Sequence, residues 1–185
     1  MFDAIFLDRD GVVNKETNYL SDPDQLVLVP GSAEAVRLFN ELNIPVVVVT
    51  NQAGVARGLY KEAQVEVLHQ ALSALLAKGG AHVDRYYYCP HHPEGEGEYR
   101  KVCECRKPQP GLLRLAAKEM NLDLSRCALV GDKASDIGAA VACDLAQAVL
   151  VLTGHGTKEW DAWSEAFRPS YVASDLLEAS KWLLR

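Results

Sequence analysis

Pro45-Val46-Val47-Val48-Val49-Thr50 is an unbroken β-branched run. A strand with one wet face alternates apolar and polar residues, so a continuous run belongs to a strand covered on both faces. Such strands sit in parallel sheets, whose crossover connections lay helices on either side. The rest of the chain supplies that alternation. Ala4-Ile5-Phe6-Leu7, residues 83–88, 127–132 and 148–152 read as further strands, and Ser170-Tyr171-Val172 as a short sixth. Between them fall helical stripes. Val36, Leu38, Phe39 and Leu42 follow Gly31-Ser32, with Ser32 the expected N-cap. Val65, Leu68, Leu72, Leu75 and Leu76 follow, ended by Gly79-Gly80. Leu112, Leu113, Leu115 and Ala116 come after Pro110, then alanine-rich 134–142 and a last helix over 174–184. The expected fold is α/β, a single doubly wound parallel sheet.

The 185 residues are expected to form one domain over 1–185, with an irregular insert at about 89–109. No linker, repeat or low-complexity tract divides the chain, and no stretch is long enough to build a separate cap domain. The formal net charge of −6 argues against nucleic acid as a partner. It leaves a small anionic substrate open, because a pocket can be locally basic. No apolar run reaches the ~18 residues of a membrane span. The start, Met1-Phe2-Asp3, lacks the basic n-region of a signal peptide. A cytoplasmic monomer with no membrane partner is expected.

The first strand runs directly into Asp8-Arg9-Asp10-Gly11. In parallel α/β sheets, ligands bind at the carboxyl ends of strands. Two other strands end in polar groups that could meet the first. They are Thr50-Asn51-Gln52, and Gly131-Asp132-Lys133 with Asp136 beyond. Arg106-Lys107 lies between them in sequence. These residue types suit phosphoryl transfer. Mg²⁺ takes hard oxygen ligands and keeps several waters, so Asp8 and Asp132 suffice to hold it. A hydroxyl, an amide and a lysine position a phosphate and neutralise its charge. Asp8 would attack phosphorus, and Asp10 would protonate the leaving oxygen and then activate water. A lone D-x-D could equally cap a loop; four motifs in order point to chemistry.

Five cysteines is an odd count, and three of them crowd together. Cys89-Pro90-His91 and Cys103-Glu104-Cys105 make a C-x-H-x11-C-x-C set. Three thiolates and an imidazole form a closed tetrahedral Zn²⁺ site, structural rather than catalytic. The metal would order an insert too poor in apolar residues to order itself, and would hold Arg106 and Lys107 over the phosphate site. The bland alternative is a set of buried thiols. Cys127 and Cys143 read as small core residues, and His92 as a spare neighbour of the site.

Asp8-Arg9-Asp10-Gly11, Thr50, Lys107 and the acidic motif Gly131 to Asp136 together resemble the haloacid dehalogenase phosphohydrolase superfamily. The resemblance spans nearly the whole chain. It implies a Rossmann-like fold, an aspartyl-phosphate on Asp8, acid/base work by Asp10, and Mg²⁺ held by Asp8, Asp132 and the Asp10 backbone carbonyl. One departure is Val12, where the family often has Thr. The Cys–His insert, with Val49 to Gly58 and Tyr87 to Pro93, resembles the zinc-bearing branch of heptose bisphosphate 7-phosphatases and histidinol-phosphate phosphatases. The length of the insert resembles the heptose group. That likeness implies a phosphorylated sugar substrate, supplying nucleotide-activated heptose for lipopolysaccharide core or surface glycan.

Thr50, Asn51, Gln52, Arg57, Arg106, Lys107 and Lys133 are the expected phosphate or substrate contacts. Arg57, in a Gly-flanked loop, could instead be a solvated surface residue. Asn14, Thr17, Asn18 and Tyr19 could wall the pocket. His155 reads as a loop residue, and Trp160, Trp163 and Trp182 as packing. Histidinol-phosphate phosphatase is the nearest alternative. A catalytically silent zinc-stapled binding module would be expected to show a damaged Asp8–Asp10–Lys107–Asp132 set. A phosphomutase would need a cap to keep water from the intermediate.

Overall fold

The computed structural model of the chain describes residues 1–185. Six strands form one sheet: β1 (Ala4–Leu7), β2 (Val46–Asn51), β3 (Arg85–Cys89), β4 (Cys127–Gly131), β5 (Gln147–Val151) and β6 (Tyr171–Ala173). Their order is β3-β2-β1-β4-β5-β6, and every neighbouring pair is parallel. Seven helices accompany them: α1 (Ser32–Glu41), α2 (Ala53–Ala56), α3 (Glu62–Lys78), α4 (Gly111–Met120), α5 (Ala134–Val141), α6 (Gly156–Asp161) and α7 (Leu176–Leu183).

The pleat splits each apolar run between two cores. Ile5, Leu7 and Val46 join Val36, Phe39, Leu68, Leu72 and Leu176 on the α1–α3–α7 side. Ala4, Phe6, Val47 and Val49 join Leu112, Leu113, Ala116 and Ile137 on the α4–α5 side. This two-sided burial is why β2 carries no polar alternation. The chain winds from β1 out to β3, then returns to place β4 on the other flank of β1. The order therefore reverses between β1 and β4, and a crevice opens at their carboxyl ends.

Several element ends differ from expectation. Ser32 is not the N-cap: Gly31 takes that position at φ 84, and Ser32 is the first residue of α1. The Ser32 hydroxyl instead donates to the Val12 carbonyl at 3.3 Å. β3 begins at Arg85, because the Asp84 carboxylate accepts the Val46 N–H at 2.8 Å just before the ladder starts. α7 begins at Leu176, capped by Asp175, which accepts from the Glu178 N–H at 2.8 Å. α2 and α6 are too short for a helical period to show, and periodicity missed them. The insert carries one 3₁₀ turn, Gly97–Tyr99. Cys143 is only half-buried, whereas Cys127 lies fully inside. Trp182 stacks on Tyr171 at 4.8 Å, in line with a packing role. No helix is long and apolar enough to cross a membrane.

Candidate active site

A pocket of about 410 Å³ opens at the carboxyl edge of β1, β2 and β4. Asp8, Asp10, Thr50, Asn51, Gln52, Arg106, Lys107 and Lys133 all line it. Motif residues as far apart in sequence as Asp8 and Asp136 thus converge on one cavity, as the topology requires.

At its floor, Lys107 is buried among oxygens. Its Nζ lies 3.1 Å from Asp8 Oδ1 and 2.6 Å from Asp136 Oδ1, and donates to the Val49 carbonyl at 2.7 Å. Burial works against its charge, but Asp136 and Asp8 outweigh that and raise its pKa above the ordinary lysine value. Asn51 braces the same residue. Its amide donates to the Lys107 carbonyl and its oxygen accepts the Lys107 N–H, both at 3.0 Å. The carboxyl group of Asp8 has a raised pKa. Burial is the main cause; Lys107 opposes it and Asp136 adds to it. Asp132 is pushed up to about 8 by burial, then by Asp8 and Asp136.

Carboxylate oxygens of Asp8, Asp132 and Asp136 lie within 4.8 Å of one another. Asp132 Oδ2 accepts the His155 N–H at 2.8 Å, while the buried Oδ1 has no hydrogen-bond partner. Three crowded carboxylates, with Asp8 and Asp132 raised in pKa and one oxygen orphaned, are the donor set a hard divalent cation relieves. The side chain of Asp10 is not part of this cluster. Arg9, Asn14 and Gln52 hold it elsewhere, which leaves only its backbone for the metal role implied by resemblance.

That second carboxylate has an unusual number of donors. Arg9 Nε and Nη2 approach Asp10 Oδ1 at 3.2 and 3.0 Å, and Nη2 reaches Oδ2 at 2.9 Å. Asn14 donates to Oδ1 at 2.9 Å and Gln52 to Oδ2 at 3.0 Å. Burial raises the Asp10 pKa, but Arg9 and these amides outweigh it and hold it below the ordinary value. Gln52 also donates to Thr50 Oγ1 at 2.9 Å and accepts from Tyr60 at 2.8 Å. Burial pushes Tyr60 up to about 12, so its hydroxyl keeps its proton.

Cys89, His91, Cys103 and Cys105 of the insert also converge. Cys105 Sγ lies 2.9 Å from Cys89 Sγ and 3.3 Å from Cys103 Sγ, with 3.5 Å between Cys89 and Cys103. His91 Nδ1 is 3.2 Å from Cys105 Sγ and 3.7 Å from Cys89 Sγ. A tetrahedron with zinc–sulfur bonds of ~2.3 Å has edges of ~3.8 Å, so small outward shifts would admit the ion. The Cys89 thiol leads in holding Cys105 down at about 5, against its burial, with help from His91 and Cys103. A thiolate is the form that binds metal. Arg106 follows directly and donates to the His91 carbonyl at 3.3 Å, which anchors its guanidinium at the pocket wall.

Arg57 is not brought in. It lies on the rim, its guanidinium 5.7 Å from the Tyr19 ring centroid and 3.7 Å from Glu94. Asn18 and Tyr19 line the pocket; Thr17 is exposed, and Asn14 serves Asp10 instead. His155 is more than a loop residue. Its side chain lines the pocket 3.4 Å from Glu16, which also faces Lys133 at 3.7 Å. Arg9, Glu16, Tyr60 and Ser135 also stand at the site, with no role assigned to them from sequence. Glu16 and Tyr60 lie outside every motif, whereas Arg9, between two carboxylates at a strand end, and Ser135, within the acidic motif, carried a signal in their position.

A family model described as "HAD-hyrolase-like" matches residues 104–179. The D-glycero-beta-D-manno-heptose-1,7-bisphosphate 7-phosphatase of Escherichia coli K12 is 44% identical over 152 residues, covering 82% of this chain and 80% of its own. That of Pasteurella multocida is 44% identical over 178 residues, covering 96% and 95%. The D,D-heptose 1,7-bisphosphate phosphatase of B. bronchiseptica, crystallised with magnesium and phosphate, superposes with a TM-score of 0.88 at 36% identity, over 98% of this chain and 97% of its own. With the pocket, the strand order and these likenesses together, the chain belongs to the heptose bisphosphate phosphatase family of the haloacid dehalogenase superfamily.

Proposed function

We propose that this chain removes the 7-phosphate of D-glycero-D-manno-heptose 1,7-bisphosphate, with Mg²⁺ in the active site. The observation that carries this reading is the Asp8 carboxylate in the pocket, 3.1 Å from the Lys107 ammonium and clustered with the carboxylates of Asp132 and Asp136. Asp8 Oδ attacks phosphorus and the bond from phosphorus to the C7 oxygen breaks. Asp10 gives a proton to that leaving oxygen, a step that draws on the small protonated fraction of a carboxyl group that Arg9, Asn14 and Gln52 hold below its ordinary pKa. Asp10 then takes a proton from water, which attacks the aspartyl phosphate and releases inorganic phosphate with Asp8 restored. Lys107, Thr50 and Lys133 surround the phosphoryl oxygens, and Arg106 offers a planar grip at the pocket wall. Asp8, Asp132 and the Asp10 carbonyl would hold Mg²⁺, which supplies charge neutralisation of the phosphoryl group when bound.

The family likeness extends the reading to a sugar bisphosphate, and 410 Å³ suits a heptose with two phosphates. The Cys89–His91–Cys103–Cys105 cluster holds structural Zn²⁺. The product, a heptose 1-phosphate, suits nucleotide activation for lipopolysaccharide core or surface glycan. The enzyme works as a cytoplasmic monomer. The test compares kcat/KM with Mg²⁺ on heptose 1,7-bisphosphate and on histidinol phosphate, with Asp8→Asn protein as the inactive control. A preference of at least a hundredfold for the bisphosphate is expected. Preference for histidinol phosphate would overturn the substrate and keep the chemistry.

A further inference from the structure

We propose that Tyr60 is a positioning residue for phosphoryl transfer, acting through Gln52 on Asp10 and Thr50 together. This rests on the phosphohydrolase reading above. The Gln52 side chain is buried, and each of its hydrogen-bonding sites is filled. Its Oε1 accepts from the Tyr60 hydroxyl at 2.8 Å and from Arg9 Nη2 at 3.2 Å. Its Nε2 donates to Asp10 Oδ2 at 3.0 Å and to Thr50 Oγ1 at 2.9 Å. The opposite amide orientation would set N–H groups against the guanidinium and oxygen against the Asp10 carboxylate.

Arg9 decides which way the amide faces, but it is shared with Asp10 and makes the longer contact. Tyr60 makes the shorter one, and so sets where the amide sits. Two consequences follow for the reacting groups. One oxygen of Asp10 is pinned by Nε2, which limits where its carboxyl can meet the leaving oxygen. Thr50 Oγ1 already accepts a hydrogen bond from Gln52, so its own O–H is turned toward a different acceptor. Thr50 lines the pocket, where a phosphate oxygen is that acceptor.

The phenol is held in turn by Gly54. A Cβ at that position would lie 2.3 to 2.5 Å from Cε1, Cζ and the hydroxyl of Tyr60, so only glycine lets the ring settle against α2. Gly54 and Tyr60 thus act as one unit behind Gln52. Tyr60 stands eight residues beyond Gln52 and outside every motif, so only the fold reveals the link.

A double-mutant cycle on kcat and KM tests the assignment. Tyr60→Phe should lower kcat about five- to tenfold, the scale of one misplaced hydrogen bond, and change KM by less than about twofold. In a Gln52→Ala background, removing the hydroxyl should change kcat by less than about twofold, because the hydroxyl acts only through the amide. Gln52→Met, which keeps the length of the side chain, replaces Gln52→Ala if that protein does not fold. Unchanged kcat in Tyr60→Phe overturns the proposal. So does a rise in KM alone, which would mark a direct sugar contact, and so does an additive cycle. If wild-type protein leaves heptose 1,7-bisphosphate untouched, the substrate reading falls. The cycle then runs on a phosphomonoester the enzyme does hydrolyse, with the same pattern expected. A wild-type protein inert toward every phosphomonoester would overturn both.

Discussion

Asp132 shows how narrowly single residues are placed. Its Oδ2 lies between two glycines: a Cβ at Gly11 or at Gly154 would come within 2.3 Å of it. Gly11 also sits at φ 86, a backbone region that residues with a side chain adopt at a cost. Gly11→Ala should therefore destabilise the protein by about 1–3 kcal/mol and push Asp132 out of place. We expect kcat at saturating Mg²⁺ to fall at least tenfold and the Mg²⁺ concentration for half-activity to rise. Mg²⁺ titrations of activity beside a thermal melt would check this, and a wild-type Mg²⁺ requirement would refute it. The motif residues were legible because their type and order suffice: carboxylates after β1 and β4, a hydroxyl near the end of β2. The partners of Asp10 were not. Arg9 is fully buried, and nothing in its neighbours along the chain says that a guanidinium will be folded inward onto Asp10 and Gln52.

At the scale of elements, α3 carries the clearest conflict between pattern and chemistry. His69 falls in the stripe of Val65, Leu68, Leu72 and Leu76, so the helix turns it toward the sheet. It stacks on Tyr86 with 4.5 Å between ring centroids, and neither ring nitrogen has a hydrogen-bond partner. Burial, with a further push from Arg9, lowers its pKa to about 3. An unfolded histidine titrates near 6.5, so between about pH 6.5 and 3 the unfolded chain binds a proton that the folded chain refuses. This group's contribution to stability is complete above that window and is lost as pH falls through it. At pH 5 the loss is on the order of 2 kcal/mol. His69→Phe keeps an aromatic ring on Tyr86 and removes the titration. Urea unfolding at pH 7 and pH 5 should show a smaller drop for the variant than for the wild type. An equal drop would rule His69 out. The long elements were legible because their apolar periods repeat often enough to count. α2 and α6 span four and six residues, less than two turns, and β3 lost its first two expected residues to a side-chain bond from Asp84.

For the whole molecule, the decisive feature is how an insert with little apolar surface is held against the sheet. Glu62 at the start of α3 accepts from Tyr88 at 2.8 Å and from Tyr99 at 2.7 Å, tying β3, α3 and the insert together. The Glu96 N–H reaches the Ala56 carbonyl at 2.7 Å. The cysteine cluster closes the other end, directly before Arg106 and Lys107. One zinc per chain is expected by metal analysis. Stripping it with a chelator should lower the melting temperature by about 5 °C or more, and kcat/KM should fall with it and recover on adding Zn²⁺. A metal-free protein with full stability and activity would refute the structural role. By itself the sequence determined the layered α/β fold, the motif residues that meet at the pocket and the cysteine cluster, because these follow from local period, residue type and short spacing. Tertiary structure alone decided that Arg57 stays on the rim, that His155 and Glu16 face the pocket, and that Tyr60 stands behind Gln52. Each of these depends on which way a side chain leaves a loop or short helix, and that direction is set by contacts with residues distant in the chain.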